Sequence, residues 1–223
     1  MAAPESMVHI CDDWISISLA SKEAVFAAAR NFSSDKCWTE IVPGIDSIAL
    51  QFNPALMSPD EASHLAIRQL GTEVSETYCP PPAIVIPICY DAEFSPDRDL
   101  IAQKLALKST NLSNWHTSKT HRVAMLGFMP GFAYLESPEE CPAIGRLENP
   151  RQLVSAGSIG IIGNQSCIYS FDSPGGWPII GRTPLRLFDP SRDRPALLTA
   201  GQTICFESIT RQAFDQWPQG AME

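Results

Sequence analysis

Two arginines in the last quarter of the chain have a type and spacing suited to anion binding. Arg182 and Arg186 are four positions apart in a segment that alternates as a strand does, so both side chains are expected on one face. Two guanidinium groups on one face could grip a carboxylate or a phosphate. The alternative is a solvated face with ion pairs, which we favour for Arg186. For Arg182, which stands between Gly181 and Thr183, we favour binding.

A histidine and a glutamine are candidates for moving a proton and for orienting a polar group. His116 ends a predicted short helix beside Trp115. The ordinary pKa of histidine is near neutrality, which suits a general acid or base. A histidine at a helix C-terminus is equally typical of a partner for the helix dipole. Gln165 follows a glycine-rich strand, where its amide could contact a substrate or face solvent.

Two peptides rich in glycine and proline could shape a pocket around these groups. The segment Ser173-Pro-Gly-Gly-Trp177 predicts a sharp turn in which Gly175 and Gly176 adopt positive φ and aim N–H groups at an anion. A plain tight turn is the simpler alternative. The segment Gly127-Phe-Met-Pro-Gly-Phe132 places two phenyl rings around a turn, where they could wall a pocket or plug a barrel end.

Several common chemistries are excluded by the sequence. It contains no Gly-Lys-Ser or Gly-Lys-Thr phosphate loop, no His-Glu-x-x-His motif and no closely spaced pair of cysteines, so no metal site is expected. Ser158 lacks the glycine two positions earlier that a nucleophile elbow requires. The remaining candidates could bind a ligand or transfer a proton, and none is an obvious nucleophile.

Charge and cysteine usage narrow the class of partner. The 223 residues include 16 Lys and Arg against 25 Asp and Glu, a formal net charge of −9. This balance disfavours nucleic acid and anionic membranes as partners, because both need a basic footprint. No apolar run is long enough to span a membrane, and no secretory signal is visible. The 7 cysteines lie far apart and are expected to be reduced thiols, which predicts a cytoplasmic location.

Short strands and helices alternate in the first part of the chain. Ser58-Pro59-Asp60-Glu61 reads as a helix start, with a cap, a proline in the first turn and a glutamate three residues after the cap. The order β-α-β-β-α-β predicts a small ferredoxin-like α/β domain over residues 1–91. Its predicted elements are a strand at 14–19, a helix at 21–31, a hairpin around Pro43-Gly44, a strand at 48–52, the helix from Ser58 and a strand at 84–90.

Residues 92–223 are predicted to form a second domain of short strands, which makes the protein α+β. Helices are expected at about 95–105 and 110–116. Beyond residue 120 glycine, proline and β-branched residues show little helical periodicity, a pattern typical of a β-barrel or sandwich. The predicted strands are 123–126, 158–162, 179–181, 185–188 and 203–207.

The segments between His116 and Asp189 resemble the family named allophanate hydrolase subunit 1. That family includes the B subunit of the bacterial 5-oxoprolinase and an inhibitor of a sporulation histidine kinase. It is also similar to part of the carboxyltransferase domain of urea carboxylase. The matching stretches are His116-Thr117, Gly127-Phe-x-Pro-Gly-Phe-x-Tyr-Leu135, Arg146-Leu-x-x-Pro-Arg151, Ala156-Gly-Ser158, Gly160-Ile-x-Gly163, Gln165, Ile168-Tyr169, Ser173-Pro-Gly-Gly-Trp177 and Ile180-Gly-Arg-Thr-Pro-Leu-x-Leu-Phe-Asp189.

The resemblance implies a ferredoxin-like domain followed by a cyclophilin-like β-barrel. It also implies ATP-dependent hydrolysis of a small carboxylate-bearing lactam, 5-oxoproline to glutamate, with ATP used in an assembled complex. The implied partners are an allophanate hydrolase subunit 2-like subunit and, for 5-oxoproline, a third 5-oxoprolinase subunit, so the isolated chain is expected to be inactive. The catalytic residues implied are His116, Gln165 and Arg182. The substrate-binding residues implied are Phe128, Pro130, Phe132, Arg151, Ser173, Gly175, Gly176, Trp177 and Thr183.

The sequence departs from the family pattern in two stretches, 154–158 and 165–170. Ser155 and Ser170 stand where the family has proline, which loosens two turns, and Cys167 adds a side chain where the family has glycine. Either the pocket differs in shape or the substrate differs. Two other functions stay open: inhibition of a histidine kinase through an exposed apolar patch, and an allophanate or urea carboxylase type of reaction. The latter needs a partner's biotin, because the chain has no Met-Lys acceptor.

Overall fold

The computed structural model describes residues 8–71, 82–137 and 144–218. The chain divides into two compact units, Met1–Cys79 and Pro80–Glu223. Within the described ranges, no helix is both long enough and apolar enough to cross a membrane.

The described residues form strands numbered here β1 to β13 and helices numbered α1 to α5. The strands are β1 (Val8–Cys11), β2 (Trp14–Ser18), β3 (Trp38–Pro43), β4 (Ser47–Phe52), β5 (Ile84–Cys89), β6 (Thr120–Leu126), β7 (Ala133–Glu136), β8 (Arg151–Val154), β9 (Ser158–Ile162), β10 (Gln165–Ile168), β11 (Ser173–Gly175), β12 (Ile179–Arg182) and β13 (Thr203–Ile209). The helices are α1 (Lys22–Ser33), α2 (Pro59–Leu70), α3 (Arg98–Lys104), α4 (Leu112–Thr117) and α5 (Arg211–Asp215), with a 3-10 turn at Ser109–Asn111.

Alternating apolar residues build the sheet of the first unit. In β2 and β4, Ile15, Ile17, Ile48 and Leu50 are buried while the residues between them are partly exposed. The four strands are antiparallel in the order β1-β2-β4-β3. Buried side chains of α1 and α2, among them the fully buried Phe32, complete this core.

Both predicted helix starts of the first unit are confirmed. The Ser21 hydroxyl accepts the backbone N–H of Ala24 at 3.2 Å. At α2 the Ser58 hydroxyl accepts the N–H of Glu61, whose carboxylate accepts the N–H of Ser58 at 2.9 Å, so the capping box is complete. These bonds satisfy N–H groups that the first helical turn leaves without a partner.

Strand β5 does not complete the first sheet, contrary to the expectation from sequence. It pairs in parallel with β13 along its whole length, from Ile84 to Cys89, in the second unit. Four consecutive residues of β5 are buried, which suits a strand covered on both faces. Strand β1 takes the edge position of the first sheet instead. The units divide between Cys79 and Pro80, whereas the sequence predicted a division after residue 91.

The second unit contains a closed barrel of seven strands in the order β10-β7-β6-β13-β5-β12-β9, and β9 pairs with β10 to close it. Its main core is aliphatic and includes Ile88, Ile159 and Ile168. A second cluster contains Phe132 and Cys167. Because neighbouring residues of β10 enter different clusters, the two cores lie on opposite faces of that strand. The α+β class with a β-barrel is confirmed.

The predicted strand at 185–188 is not formed. Pro184 has no N–H to offer a neighbouring strand, and the N–H of Leu185 donates instead to Thr183 Oγ1 at 3.3 Å. A single bridge between Phe188 and Ala196 ties the segment to the chain that follows. Arg186 therefore lies in a folded loop and not on the face of a strand.

Gly157 is the position where a side chain would be most disruptive, because the loop before β9 touches the chain after β12 there. Its φ is +82°, and an added Cβ would lie 2.3 Å from the carbonyl oxygen of Thr183. We expect Gly157→Ala to lower the free energy of unfolding by about 2–4 kcal/mol in chemical denaturation. Gly127→Ala is the matched control, since a Cβ there meets nothing within 4 Å. Equal losses in the two variants would contradict this account.

Candidate functional site

An open groove of about 700 Å³ lies where β12 ends, and we call it the arginine groove. Three of its lining residues are Arg182, Arg186 and Arg192, in a protein whose formal net charge is −9. The groove is therefore a cationic feature of an acidic protein. Its walls also include Gly157, Ser170, Asp189, Phe214, Asp215 and Trp217.

The guanidinium of Arg182 is held by the loop before β9 and by two phenyl rings. Its Nε donates to the carbonyl oxygen of Ala156 at 2.8 Å. Its Cζ lies 5.6 Å from the ring centroid of Phe94 and 5.9 Å from that of Phe214, within the range of cation–π attraction. Its two Nη atoms have no hydrogen-bond partner among the described residues. Arg182 is thus oriented by the fold and keeps donors for an anionic ligand.

A folded loop after β12 carries the other two arginines. Arg186 Nη1 lies 3.3 Å from Asp189 Oδ2, and Arg192 Nη1 donates to the carbonyl oxygen of Arg186 at 3.3 Å. The N–H and hydroxyl of Ser191 donate to Asp189 at 3.0 and 2.6 Å, and these bonds lower the pKa of that carboxyl. The ion pair expected for Arg186 is present, although its side chain also lines the groove.

His116 is enclosed by the protein. Its ring is fully buried and stacks on Phe206 with 4.5 Å between the ring centroids. Its Nδ1 lies 2.7 Å from Tyr90 Oη, and its Nε2 lies 3.4 Å from Ser166 Oγ. Burial is the main reason that the pKa of His116 is well below its ordinary value. The ring is therefore neutral at pH 7 and is part of the packed interior.

Gln165 and Arg182 open onto different clefts. Gln165 lines a small cleft together with Ser166, away from the arginine groove. Gln165 pairs with Ile162 and Arg182 pairs with Ser158, at the two ends of β9. Four residue steps along a strand correspond to about 13 Å. The structure therefore does not bring the three predicted catalytic residues into one site.

Arg151 is occupied by an ion pair inside the second unit. Its Nη2 lies 2.7 Å from Asp97 Oδ1, and Oδ2 of the same carboxylate accepts the backbone N–H of Ile179 at 2.7 Å. Asp97 is only 8% exposed, and each of its carboxylate oxygens accepts one of these hydrogen bonds. The pair joins the start of α3 to β8 and β12, while Nη1 of Arg151 is buried without a hydrogen-bond partner among the described residues.

The predicted anion-binding turn at Gly175 and Gly176 is not formed. Neither glycine has a positive φ, and Ser173–Gly175 is strand β11, paired with β8. Glycine is required at 175 because an added Cβ would lie 2.3 Å from Tyr169 Oη. The carbonyl oxygen of Gly176 accepts the N–H of Leu147 at 2.8 Å. These residues pack against the barrel and do not form an N–H cradle.

The aromatic residues predicted as pocket walls have separate places. Phe132 and Trp177 are 2% and 6% exposed and belong to the second core cluster. Phe128 is 66% exposed at a positive φ of 73°, with its ring edge-on to that of Phe132. Pro130 is also exposed. Thr183 is buried and, of the predicted binding residues other than Arg182, is the one that lines the arginine groove.

Sequence reasoning misses two groups of the arginine groove. Arg192 follows a turn sequence after Asp189, and nothing in its spacing relates it to Arg182. Ser170 is noted only as the loss of a proline, although the position also gains a hydroxyl group. Only the three-dimensional structure shows that these two side chains share one groove with Arg182.

The model of the carboxyltransferase domain, subdomains C and D, matches residues 7–198. The chain belongs to this family. It is 36% identical to the 5-oxoprolinase B subunit of Bacillus subtilis, over 74% of this chain and 69% of that protein. It is also 36% identical to the 5-oxoprolinase B subunit of Escherichia coli O157:H7, over 85% of this chain and 87% of that protein. The family resemblance expected from the sequence is confirmed.

Solved structures share the fold of this chain. A conserved uncharacterized protein of Pyrococcus horikoshii is 32% identical with a TM-score of 0.57, and the match covers 93% of this chain and all of that chain. The urea carboxylase of Kluyveromyces lactis shares the fold at 17% identity with a TM-score of 0.69. That match covers 93% of this chain and 22% of the larger protein.

The cysteine that replaces a family glycine is accommodated in the core of this family member. Cys167 pairs with Gly160 on the neighbouring strand. An added Cβ on Gly160 would lie 2.9 Å from Cys167 Sγ and 2.7 Å from Trp177 Cβ. The glycine thus leaves room for the thiol, which is fully buried and does not reach the arginine groove.

The buried imidazole of His116 predicts a loss of stability in mild acid. Burial, His121 and Lys119 all lower its pKa, whereas the unfolded chain has the ordinary value. The contribution of the neutral His116 ring to the free energy of unfolding is complete above about pH 6.5. It is lost as the pH falls, because only the unfolded chain then takes up the proton. We expect the free energy of unfolding in urea to drop by about 1 kcal/mol between about pH 6.5 and about pH 5.5.

Histidine NMR separates this effect from other acid-sensitive groups. The His116 ring signal should stay constant through that pH range, with the exposed His64 ring as the internal comparison. A His116 signal that titrates near neutral pH would contradict the prediction.

Proposed function

We propose that this chain is the B component of an ATP-dependent lactam hydrolase that converts 5-oxoproline to glutamate. The observation that carries the proposal is the 36% identity to the 5-oxoprolinase B subunit over 85% of this chain and 87% of the Escherichia coli protein. The arginine groove supports it, because 5-oxoproline carries a carboxylate and the groove offers a guanidinium with unbonded donors.

In this proposal Arg182 binds the substrate carboxylate. The bond to Ala156 and the rings of Phe94 and Phe214 fix the direction of the guanidinium before the ligand arrives. Because the fold already orders this side chain, less conformational entropy is lost when the ligand binds. His116 does not contact the substrate in this proposal, because its buried ring is not among the residues that line the groove. It holds the side chains of Tyr90 and Ser166 in place through its two ring nitrogens.

The remaining chemistry falls to other subunits and to ATP. The groove is open, and its described lining includes no histidine or cysteine that could serve as base or nucleophile. We propose that an allophanate hydrolase subunit 2-like partner completes the site and that a third 5-oxoprolinase subunit takes part. ATP is a co-substrate of the complex that activates the lactam oxygen. The isolated chain is then inactive, because without its partner subunits it cannot hold all the reactants together.

We also propose that the complex acts in the cytoplasm. Five cysteines within the described residues are free, as expected in a reducing compartment. Cys79 and Cys141 lie outside the described residues.

One observation favours the second candidate, a regulatory protein that docks on a histidine kinase. The second unit exposes Phe128, Leu153 and Phe171, which are 66%, 63% and 42% exposed. A docking surface requires that such side chains form one contiguous patch. A kinase autophosphorylation assay tests this candidate, and full kinase activity at micromolar concentrations of this chain removes it for that kinase.

The proposed reaction is tested by ATP-dependent glutamate release from 5-oxoproline. The assay contains this chain with its co-encoded partner subunits, and each component is omitted in turn. We expect glutamate only in the complete mixture with ATP. Unchanged release without this chain would refute the subunit role, while an inactive complete mixture would direct the search to allophanate and other amides.

Arg182→Gln should lower kcat/KM of the complete complex for 5-oxoproline by about 10- to 100-fold, mainly through KM. The reason is the loss of a charge-assisted bond to the carboxylate. Arg68→Gln, on the exposed surface of α2, is the matched control and should leave kcat/KM unchanged. Thermal unfolding of each variant shows whether it is folded. A folded Arg182→Gln complex with wild-type kcat/KM would remove the role given to Arg182.

A further inference from the structure

The arginine groove is larger than a small lactam needs. Its volume of about 700 Å³ is in the range of sites that enclose drug-sized ligands. A single small ring with one carboxylate, held by Arg182, would leave much of that space and two further arginines unused. Ser170 and the loop that carries Arg186 and Arg192 also line the groove.

Ser170 supplies an independent sign of a missing ligand atom. Its side chain is 8% exposed and lines the groove, and its Oγ is buried without a hydrogen-bond partner among the described residues. A buried hydroxyl without a partner costs about 1–3 kcal/mol, so it is satisfied in native proteins by a ligand, by water or by a small side-chain rotation. Contact with a bound ligand requires that the Ser170 side chain turns its hydroxyl into the groove.

The loop arginines add cationic donors to the lining of the groove. Arg192 uses Nη1 for the carbonyl oxygen of Arg186 and has no other hydrogen-bond partner in the described chain. Arg186 is paired with Asp189, whose carboxylate is also bonded to Ser191. The other acid of the groove, Asp215, is paired with Arg211 at 2.9 Å. Both carboxylates thus have hydrogen-bonded partners. Arg192 forms no ion pair within the described residues, although its charge, like that of Arg186, helps to lower the pKa of Asp189.

This donor set fits a phosphoryl group better than a second carboxylate. A carboxylate is satisfied by one bidentate arginine, whereas a phosphate presents three acceptor oxygens and up to two negative charges. The groove offers the guanidinium of Arg192, the partly neutralised guanidinium of Arg186 and the hydroxyl of Ser170.

We propose that Ser170, Arg186 and Arg192 form a phosphate subsite in the arginine groove, next to the carboxylate site of Arg182. The inference deepens the proposed function and rests on it for the neighbouring carboxylate ligand. The shared chemistry is a terminal phosphoryl group, which can belong to a nucleoside triphosphate, to pyrophosphate or to free phosphate.

The subsite is tested by calorimetric titration of the full-length chain, alone and in the complex with its partner subunits. The probes are ATP, inorganic pyrophosphate and inorganic phosphate, each at fixed ionic strength. We expect Ser170→Ala and Arg192→Gln to weaken pyrophosphate binding by at least about tenfold, since each removes a bond to a charged oxygen. Ser170→Thr keeps the hydroxyl and should retain most of the affinity.

The matched control is Arg194→Gln, which removes an exposed arginine of the same loop that does not line the groove. It should bind pyrophosphate as the wild type does. Tighter binding of ATP than of pyrophosphate identifies a nucleotide as the source, and equal binding of phosphate identifies the free anion. Absence of binding in both preparations, or equal affinity in Ser170→Ala, Arg192→Gln and Arg194→Gln, would overturn the subsite.

The glutamate assay separates this inference from the proposed function. A complex that opens 5-oxoproline but binds pyrophosphate equally in all variants refutes the subsite alone. A complex that shows the expected binding pattern and releases no glutamate refutes the proposed reaction alone.

Discussion

The backbone contact between Gly157 and Thr183 is the constraint on which the shape of the arginine groove depends. The N–H of Thr183 donates to the carbonyl oxygen of Gly157 at 2.9 Å, and the N–H of Gly157 donates to that of Tyr169 at 2.7 Å. Three segments meet through these bonds at a distance that excludes a side chain on residue 157. The carbonyl oxygen of Ala156 is thereby placed to orient Arg182.

The second unit combines a closed apolar interior with an open cationic groove. The interior keeps His116 neutral and bonded to Tyr90 and Ser166, so that ring contributes to the packing of the barrel. The groove instead leaves donors of Arg182 and Arg192 without a partner in the described chain. Packing and unbonded donors thus involve different residues of the second unit.

Local sequence patterns predicted much of the fold. The capping box at Ser58 and the alternation in β2 and β4 depend on neighbours within a few residues, and the structure confirms both. The partner of β5 could not be predicted in this way, because an apolar strand fits either unit equally well. Its parallel pairing with β13 joins residues more than a hundred positions apart.

The candidate site was harder to predict, because motif residues serve packing as often as binding. Glycine at 175 is explained by the approach of Tyr169, and Arg151 by the carboxylate of Asp97. Arg182 was predicted as an anion-binding residue, and the structure shows its unbonded donors in a groove. Ser170 and Arg192 line the same groove because the turn after β10 and the loop after β12 meet there, which no local periodicity encodes.

A structure of the assembled complex with 5-oxoproline bound would show directly whether the arginine groove holds the substrate. We expect density for the lactam in the arginine groove, with its carboxylate within hydrogen-bond distance of the Arg182 guanidinium. Density in the small cleft beside Gln165 and Ser166, with the arginine groove free of substrate, would contradict this expectation.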